Sequence, residues 1–589
     1  MAKWYVAQKK ADFKKTAAKF GIDPVVARIL RNRDLETEDE IRMFLQGTMN
    51  DLHDPSLLKD MEKTATILLQ KIAGKAAIRV IGDYDVDGIC STFILEKGIL
   101  ALGGNVDTTI PHRIKDGYGL NMNLIEEAGA DGKDTILTCD NGIAATAEIA
   151  YAKSLGMTVL VTDHHEVPYE ENADGRKEIL PPADAIVDPK QESCRYPFTG
   201  ICGAVVAYKL IVFMTEKAGM EDCARTELLE ELLEMAAFAT ICDVMELKDE
   251  NRIIVREGLK AMSHSKNIGI KALMEVNELE GKTLTGYHIG FIMGPCMNAT
   301  GRLDTAKRAL ELLESTDYGK AVTIAGELKA LNDNRKDLTL QGVEAAKKQV
   351  EEKLLQDKVL VVYLPDCHES IAGIIAGKIR ENYNKPAFVL TKGDEGVKGS
   401  GRSIEEYHMF EELVKCKTMF TRFGGHKMAA GISMPEENIE NFRKQLNANC
   451  TLMEQDFIPK LHIDVPMPVS YITQRLVEQM SILEPFGNGN PKPLFAQKDV
   501  ILVSGRLIGK NQNVGKYQVK DENNEMHEMI YFQKPEEFGM FLDRKFGNGA
   551  GDRLYRGERM ELPVSIAYYP DLNTYGGRTT VQLVLQDYC

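Results

Sequence analysis

Short apolar runs that end in polar clusters dominate the first third of the chain. AAIRVIG (76–82) leads into DYDVDG, NVDTTIP (105–111) into His112 and Arg113, DTILTC (134–139) into Asp140, and TVLVT (158–162) into Asp163. Segments with helical spacing, such as ICSTFILEKGILALGG and GIAATAEIAYAKSLG, lie between them. This alternation predicts a doubly wound parallel α/β sheet. Because ligands gather beyond the carboxyl ends of such strands, we expect the polar clusters to converge on one crevice.

The pattern changes several times further along the chain. Residues 316–356 have the Ala-, Lys- and Glu-rich composition of long helices, and a second α/β pattern begins at KVLVVYL (358–364). After about residue 456, short alternating strands separated by turn residues predict a small antiparallel β-barrel. We therefore predict an N-terminal helical segment (1–50), an α/β domain (51–315), a helical connector (316–356), a smaller α/β domain (357–455) and an antiparallel barrel (456–589).

Composition sets the broad class of the protein. Hydrophobic residues make up 44% and charged residues 27% of 589 residues, as in globular proteins. No apolar run approaches the ~18 to 20 residues that span a bilayer, and the N-terminus lacks a secretory signal. Eleven cysteines without a CxxC pair predict a reducing cytoplasm. A net charge of -16 argues mildly against nucleic acid, but binding depends on local fields.

GDYDVDG places Asp83, Asp85 and Asp87 at alternate positions after a predicted strand. DxDxDG also begins an EF-hand loop, which requires Glu at the twelfth position and flanking helices. Counted from Asp83, the twelfth residue is Ile94, which offers no oxygen to a cation. The EF-hand interpretation therefore fails.

Three further segments carry acids or histidines that the sheet would bring to the same place. Asp140 follows one strand, and Asp163, His164 and His165 follow another. Asp243 lies in the apolar run ATICDVMEL, where an unpaired charge would be costly. Singly, these residues fit a turn aspartate, structural histidines and a salt-bridged core acid. Together, so many carboxylates indicate bound cations, and oxygen ligands with an imidazole favour two Mn²⁺ or Mg²⁺ ions.

The segments GDYDVDG, TCDNGI, VTDHHE and ATICDVMEL resemble, in order, four motifs of the DHH phosphoesterase superfamily. The resemblance implies that His165 is catalytic and contacts the scissile phosphate. It also implies that Asp163 belongs to the catalytic site by orienting the histidine pair from behind. It leaves open which aspartate bridges the ions, with Asp87 and Asp140 as candidates. The implied metal ligands are Asp83, Asp85, Asp87, Asp140, His164 and Asp243.

Further motifs are similar to those of RecJ-type single-stranded-DNA-specific exonucleases with a DHHA1 domain and an OB-fold. These motifs are PHRIKDGYGLN (111–121), FIMGPCMNATGRLDTA (291–306), GSGRS (399–403), FGGHKMAAG (423–431) and the terminal strands. The resemblance also implies catalytic roles for Arg302 and His426. The implied nucleic-acid-binding residues are Arg113, Lys115, Asn298, Gly301, Arg302, Arg402, Gly424, Gly425 and His426.

The resemblance implies two-metal hydrolysis of single-stranded DNA, 5′→3′ to mononucleotides, in DNA repair and recombination. It also implies a cytoplasmic enzyme without membrane contact, and a single-strand-binding protein and a RecQ-like helicase as partners. A phosphodiesterase for small nucleotides or short oligonucleotides is the first alternative, although it would not need the barrel. A non-catalytic nucleic-acid-binding scaffold is the second, and the retention of every implied ligand argues against it.

Overall fold

The computed structural model describes residues 2–113, 116–117, 119–172, 175–303, 305–393, 396–575 and 577–589. Two compact units divide the chain. The larger contains Gln46–Thr451 with Gly487–Gly489, and the smaller combines the residues up to Leu45 with Leu452–Phe486 and Asn490–Cys589. Among the described helices, none has the length and apolar composition needed to cross a membrane.

A five-stranded, entirely parallel sheet forms the centre of the larger unit. Alternate residues of its strands enter separate apolar clusters, so both faces are buried. Polar residues begin immediately after the strands, which confirms the predicted doubly wound sheet. In spatial order the strands are Asn105–Thr109, Ala77–Ile81, Thr135–Cys139, Thr158–Thr162 and Ala185–Val187.

Helices cover both faces of this sheet, and most of the other helices of the domain follow the last strand along the chain. Met122–Ala130 and Thr146–Ser154 pack on one face, whereas Val86–Ala101 and Gly203–Lys217 pack on the other. A short antiparallel hairpin, Tyr169–Asn172 with Gly175–Glu178, follows the fourth strand along the chain. The remaining helices are Met61–Ala73, Asp222–Cys242, Asp249–Met262, Ile268–Val276, Gly286–His288, the π-helix Ile289–Met293, Gly294–Leu303, Lys307–Glu314 and Tyr318–Gln349, with short 3₁₀ turns at Met49–Asp51 and Pro55–Leu57 and a π-turn at Val350–Leu354.

The second α/β domain of this unit has a mixed five-stranded sheet. One strand pair is parallel and the other pairs are antiparallel. In spatial order its strands are Arg422–Gly425, Ala429–Met434, Gly396–Arg402, Ala387–Gly393 and Leu360–Tyr363. Its helices are Ala372–Tyr383, Met409–Val414 and Ile439–Asn449, with 3₁₀ turns at Glu369–Ile371, Lys417–Met419 and Glu436–Asn438.

The smaller unit contains the predicted barrel. Pairing of Phe495–Ile508 with Leu562–Tyr575 closes five strands into a ring, mostly antiparallel, with a short sixth strand at the edge. The N-terminal strand Lys3–Val6 pairs with Lys460–Ile463 of the same unit. The other strands are Val465–Pro466, Val514–Lys520, Met526–Tyr531 and Arg578–Tyr588, and the helices are Phe13–Phe20, Pro24–Asn32, Glu38–Gln46, Gln474–Met480, Pro535–Phe546 and Ala550–Tyr555, with 3₁₀ turns at Glu454–Phe457, Val469–Tyr471 and Ser481–Leu483.

A buried ion pair anchors the helix Gly203–Lys217, whose N-terminus reaches the candidate site. Lys209 donates to Glu250 and to the carbonyl of His53, each at 2.9 Å, and Glu250 also accepts from the Tyr196 hydroxyl at 2.6 Å. The side chains of Lys209 and Glu250 are 2% and 0% exposed. The two buried charges therefore satisfy each other, with further hydrogen bonds from these neighbours.

We expect Lys209→Met to destabilise the protein by about 3–5 kcal/mol, because it leaves the Glu250 carboxylate buried and unpaired. Urea unfolding followed by circular dichroism measures the change. Lys217→Met is the control on the same helix, since Lys217 pairs with Glu62 at the surface and its loss should cost about 0–1 kcal/mol. Adding Glu250→Gln should recover part of the loss, and equal destabilisation by both lysine variants would contradict the interpretation.

Candidate metal centre

Carboxylates meet at the carboxyl ends of the parallel strands. Asp83 follows the strand Ala77–Ile81, and Asp85 caps the next helix, where its carboxylate accepts from the amides of Asp87 and Gly88 at 2.9 and 3.1 Å. Asp140 directly follows the strand Thr135–Cys139. Alternating strands and helices thus deliver these acids to one edge, as the sequence predicts.

The predicted ligands form overlapping groups with ligand atoms within 4.8 Å of one another. Asp83, Asp85 and Asp140 make one group, while Asp87, His164 and Asp243 make another. The Nε2 atom of His164 connects them, lying 3.1 Å from Asp140, 3.5 Å from Asp87 and 3.9 Å from Asp243. Two adjacent cation positions therefore fit the six residues.

Backbone amides fix the ligands in place. Both carboxylate oxygens of Asp87 accept from the N-terminus of the helix Gly203–Lys217, from Gly203 at 2.7 Å and from Ala204 at 2.8 Å. The positive end of a helix dipole stabilises an anion at this place. Gly119 donates to Asp83 at 3.2 Å. A Cβ on Gly203 would lie 2.8 Å from the Cβ of Asp140, so glycine is required there.

Asp163 contacts both residues of the histidine pair. Its Oδ1 accepts from the amide of His164 at 2.7 Å and lies 2.8 Å from Nδ1 of His165. Its Oδ2 accepts from the amide of Ile143 at 2.9 Å. Although burial opposes both shifts, this pairing raises the pKa of His165 to about 9 and lowers the pKa of Asp163. Asp163 is thus held by His165 and by backbone amides. Residues that orient metal ligands without binding the metal themselves make contacts of this kind.

The electrostatics of the other acids differ from those of Asp163. Burial, followed by the charge of Asp85, raises the pKa of Asp83 to about 7, and burial, followed by Asp87, raises that of Asp243 to about 8. Burial and the neighbouring aspartates also raise the pKa of Asp140. So many repelling carboxylates are costly unless cations neutralise them.

The donor set fits a pair of divalent cations. Among the described residues, Oδ2 of Asp83 is a buried oxygen without a hydrogen-bond partner, so a ligating atom is available at the site. Five carboxylates with one imidazole are the ligands that Mn²⁺ and Mg²⁺ prefer over softer metals. Four cysteines lie nearby, of which Cys90, Cys139 and Cys202 are buried and Cys242 is partly buried. Burial raises their pKa values, so they suit packing better than ligation.

We expect Asp163→Asn to lower kcat by about 10- to 100-fold with a smaller change in KM, because the amide cannot accept the same set of hydrogen bonds. Steady-state hydrolysis of single-stranded DNA measures the effect. Glu166→Gln is the control, since Glu166 lies nearby in sequence and pairs with Lys190 at the surface. An unchanged kcat would show that Asp163 does not position the histidines.

A cluster of guanidinium groups lies beside this centre. Burial and the charges of Arg113, Arg335 and Arg402 lower the pKa of Arg302 to about 10. Arg302 donates from Nη1 to the carbonyl of Ser370 at 2.7 Å, which joins the two α/β domains, and Arg113 lies over the ring of Tyr84 at 4.9 Å. Guanidinium groups concentrated in this way favour the binding of a multiply charged phosphate.

The second α/β domain contributes a shallow cavity of about 340 Å³ whose lining includes Arg113, Ser370, Ser400 and Gly424. Gly424 pairs with Gly431 across two strands, and a Cβ on either would meet no atom within 4 Å. Packing within the protein therefore does not explain glycine at these two positions. Their open faces at the floor of the cavity leave room for the close approach of a ligand. Gly425 has a φ of +148° that favours glycine.

The structure thus brings the six predicted metal ligands, the histidine pair and three predicted arginines into one unit. Asn298 accepts from the amide of Val86 at 3.3 Å, and Gly301 lies against the carbonyl of Tyr84, where a Cβ would be only 2.2 Å away. His426 is exposed at the end of the strand Arg422–Gly425. Lys115 lies outside the described residues.

Sequence reasoning missed several members of the site. Gly203 and Ala204 hold Asp87 through their amides, and Gly431 forms half of the cavity floor. Backbone groups leave no side-chain signal in a single sequence. The apolar helix ICGAVVAY, which starts directly after a cysteine with glycine at its first position, could have suggested a close helix N-terminus.

Paired cation positions at the edge of a doubly wound sheet define a two-metal phosphoesterase. The comparisons with known proteins agree. The DHH family N-terminal domain matches residues 77–240, the DHHA1 domain matches 356–451, and the RecJ OB domain matches 463–587.

Relatives match along nearly the whole chain. The single-stranded-DNA-specific exonuclease RecJ of Bacillus subtilis is 33% identical over 590 residues, covering 99% of this chain and 70% of the relative. RecJ of Salmonella typhimurium is 31% identical over 589 residues, with 96% of each chain covered. The crystal structure of RecJ from Thermus thermophilus with Mn²⁺ superposes with a TM-score of 0.81 at 25% identity, covering 100% of this chain and 79% of that one. The chain belongs to the RecJ family of single-stranded-DNA-specific exonucleases.

Proposed function

We propose that this protein is an Mn²⁺- or Mg²⁺-dependent exonuclease that degrades single-stranded DNA from the 5′ end to mononucleotides. One observation carries the proposal: a single helix connects the candidate metal ligands with the guanidinium cluster. The helix Gly294–Leu303 carries Asn298, which accepts from the amide of Val86 within the DYDVDG segment, and Arg302, which lies among the other arginines. One helix would therefore contact both the site where a phosphodiester is cut and the arginines that bind a second phosphate.

The arginine cluster supports an exonuclease over an endonuclease. A terminal phosphate carries more charge and more acceptor oxygens than an internal phosphodiester, so several guanidinium groups favour it. Arg113, Arg302 and Arg402 would hold that terminus, with Ser400 beside the cavity. The next phosphodiester along the strand then lies over the aspartates, and each cut releases one nucleotide.

The residues of the chain have distinct tasks in this proposal. Asp83, Asp85, Asp87, Asp140, His164 and Asp243 would hold the cations. When bound, these ions supply Lewis acidity that activates water and stabilises charge on the phosphoryl oxygens. His165, held through Nδ1 by Asp163, would meet the scissile phosphate through Nε2. His426, Gly424 and Gly425 would contact the terminal nucleotide from the second α/β domain.

The cellular setting is part of the same proposal. We place the enzyme in the cytoplasm, in DNA repair and recombination, with a single-strand-binding protein and a RecQ-like helicase supplying its substrate. The domain division predicted from the sequence (1–50, 51–315, 316–356, 357–455 and 456–589) remains our working proposal. Pairing of Lys3–Val6 with Lys460–Ile463 suggests that the first segment works with the barrel.

The test follows single strands labelled at the 5′ or 3′ end during digestion with Mn²⁺, beside a blunt duplex. Early release of mononucleotides from the 5′ label, with the duplex intact, is the expected result. Early release from the 3′ label would overturn the polarity. Intact strands together with rapid hydrolysis of dinucleotides would overturn the proposal in favour of a small-nucleotide phosphodiesterase.

A further inference from the structure

Two exposed aromatic rings lie on a helical segment that packs against the end of the helix Asp222–Cys242, next to the candidate ligand Asp243. Tyr287 is 63% and Phe291 70% exposed, and their rings stack on each other with centroids 5.2 Å apart and planes 23° from parallel. Burying such rings is normally favourable by ~1.5–3 kcal/mol each, so large aromatic surfaces left in water mark binding sites. The pair is held rigid by the helical segment that carries it.

The same segment is fixed to the metal centre by close packing. Cys242, the last residue of the helix Asp222–Cys242, precedes the candidate ligand Asp243. A Cβ on Gly294 would lie 2.4 Å from Sγ of Cys242, and one on Gly290 would lie 3.5 Å from the side chain of Ile241. Glycines on one side of the segment therefore let it touch the end of the Asp243 helix, while the rings occupy an adjoining side.

A π-helix at Ile289–Met293 contributes to this geometry. It interrupts the helical segment at the position of Phe291. Such π-turns are rare in proteins as a whole, but those that occur are frequently found at functional sites. The extra residue in the turn shifts a side chain away from the regular helical row. The exposed position of Phe291 thus coincides with a local irregularity in the backbone.

We infer that Tyr287 and Phe291 form a stacking platform for a nucleobase of the single strand, downstream of the phosphodiester that is cut. The inference rests on the proposed function. Aromatic faces stack on any base, which suits an enzyme that degrades strands without sequence preference. A cation is also near: Lys282 lowers the pKa of His288, after the larger effect of burial, and can meet the backbone phosphate of a stacked nucleotide.

The helical segment sets the distance between the platform and the held terminus. The eleven residues from Phe291 to Arg302 span roughly 16 Å at ~1.5 Å per residue. That length corresponds to about five stacked-base steps of ~3.4 Å. The platform therefore takes an internal base and not the terminal nucleotide, and only strands longer than a few nucleotides reach it.

The test uses oligonucleotides with a single 2-aminopurine placed at successive positions from a 5′-phosphorylated end. Binding is measured in an Asp140→Asn background, so that strands are held and not cut. We expect fluorescence quenching to peak at one or two internal positions and to disappear in Tyr287→Ala/Phe291→Ala, with affinity for a 20-mer weakened roughly tenfold, or about 1.4 kcal/mol, per lost contact. The gain in affinity with strand length should shrink in parallel.

Conservative and remote variants sharpen the result. Phe291→Trp should retain quenching at the same position, and Tyr318→Ala, which truncates an exposed ring at the start of the helix Tyr318–Gln349, should leave the profile unchanged. An identical profile in the double variant would overturn the inference while leaving the exonuclease proposal standing, and would favour a protein partner on this surface. Failure of the wild-type protein to digest single strands would instead overturn the proposed function.

Discussion

Asp140→Asn is expected to lower the rate of single-strand hydrolysis by at least ~10³-fold, about 4 kcal/mol of transition-state stabilisation. Asp140 contributes to one group of ligands with Asp83 and Asp85 and lies 3.1 Å from His164 of the other. Its backbone has a φ of +59°, a left-handed conformation that asparagine tolerates better than alanine. The asparagine variant therefore removes the charge with little change in conformation.

The same substitution should affect stability in the opposite direction. Because burial and neighbouring aspartates raise the pKa of Asp140, loss of its charge should raise stability in EDTA. The increase in Tm that Mn²⁺ gives the wild type should shrink in the variant. Thermal unfolding with and without Mn²⁺ measures both effects, and Asp333→Asn on the surface is the control. Lower stability in EDTA together with an unchanged Mn²⁺ shift would exclude Asp140 from the cation site.

Arg302→Gln is expected to lower kcat/KM on 5′-phosphorylated strands by roughly 10²-fold, about 2.7 kcal/mol. Arg302 lies among three other arginines, and burial strengthens its interaction with a phosphate dianion. Strands with a 5′-hydroxyl should already be poor substrates and should lose much less. Digestion of both substrates in parallel measures this selectivity.

Arg308→Gln is the matched control for Arg302. Arg308 lies on the following helix and pairs at the surface with Glu311 and Glu327, so its loss should leave both substrates nearly unaffected. Equal losses on phosphorylated and hydroxyl-ended strands in Arg302→Gln would indicate a general binding defect. Recognition of the terminal phosphate would then lie elsewhere.

The part of the site that the sequence predicts best is the part that strand geometry fixes. Asp83, Asp140 and Asp163 each follow an apolar run, and parallel strands must bring their carboxyl ends to one edge. Asp243 was harder to place from its own segment, because it ends a long apolar helix and reaches the site only through helix packing. The motif order supplied that assignment.

Backbone contacts and close packing could not be predicted in this way. The amides of Gly203 and Ala204 donate hydrogen bonds to Asp87, but neither residue has a polar side chain that would indicate this contact in the sequence. Gly301 was predicted to lie near substrate, and the structure places it against the carbonyl of Tyr84, where any side chain would collide.

The barrel segment carries five aromatic residues whose rings are candidates for stacking on bases, and the structure divides them by burial. Tyr517, Tyr531 and Tyr568 lie in the core of the smaller unit, where Tyr568 donates to the carbonyl of Met467 at 2.8 Å. Phe532 is exposed, and Tyr569 is half-buried beneath Lys492, whose Nζ lies 3.8 Å from the ring centroid. Of the five, these two remain available to bases.

Metal stoichiometry shows whether the site holds two cations. The protein is stripped with EDTA, dialysed against Mn²⁺, and analysed for bound metal by mass spectrometry and for spin coupling by electron paramagnetic resonance. We expect two Mn²⁺ per chain with a spin-coupled signal, and less bound metal in Asp140→Asn. A single uncoupled ion, or none, in a chain that still hydrolyses single-stranded DNA would contradict a two-metal centre.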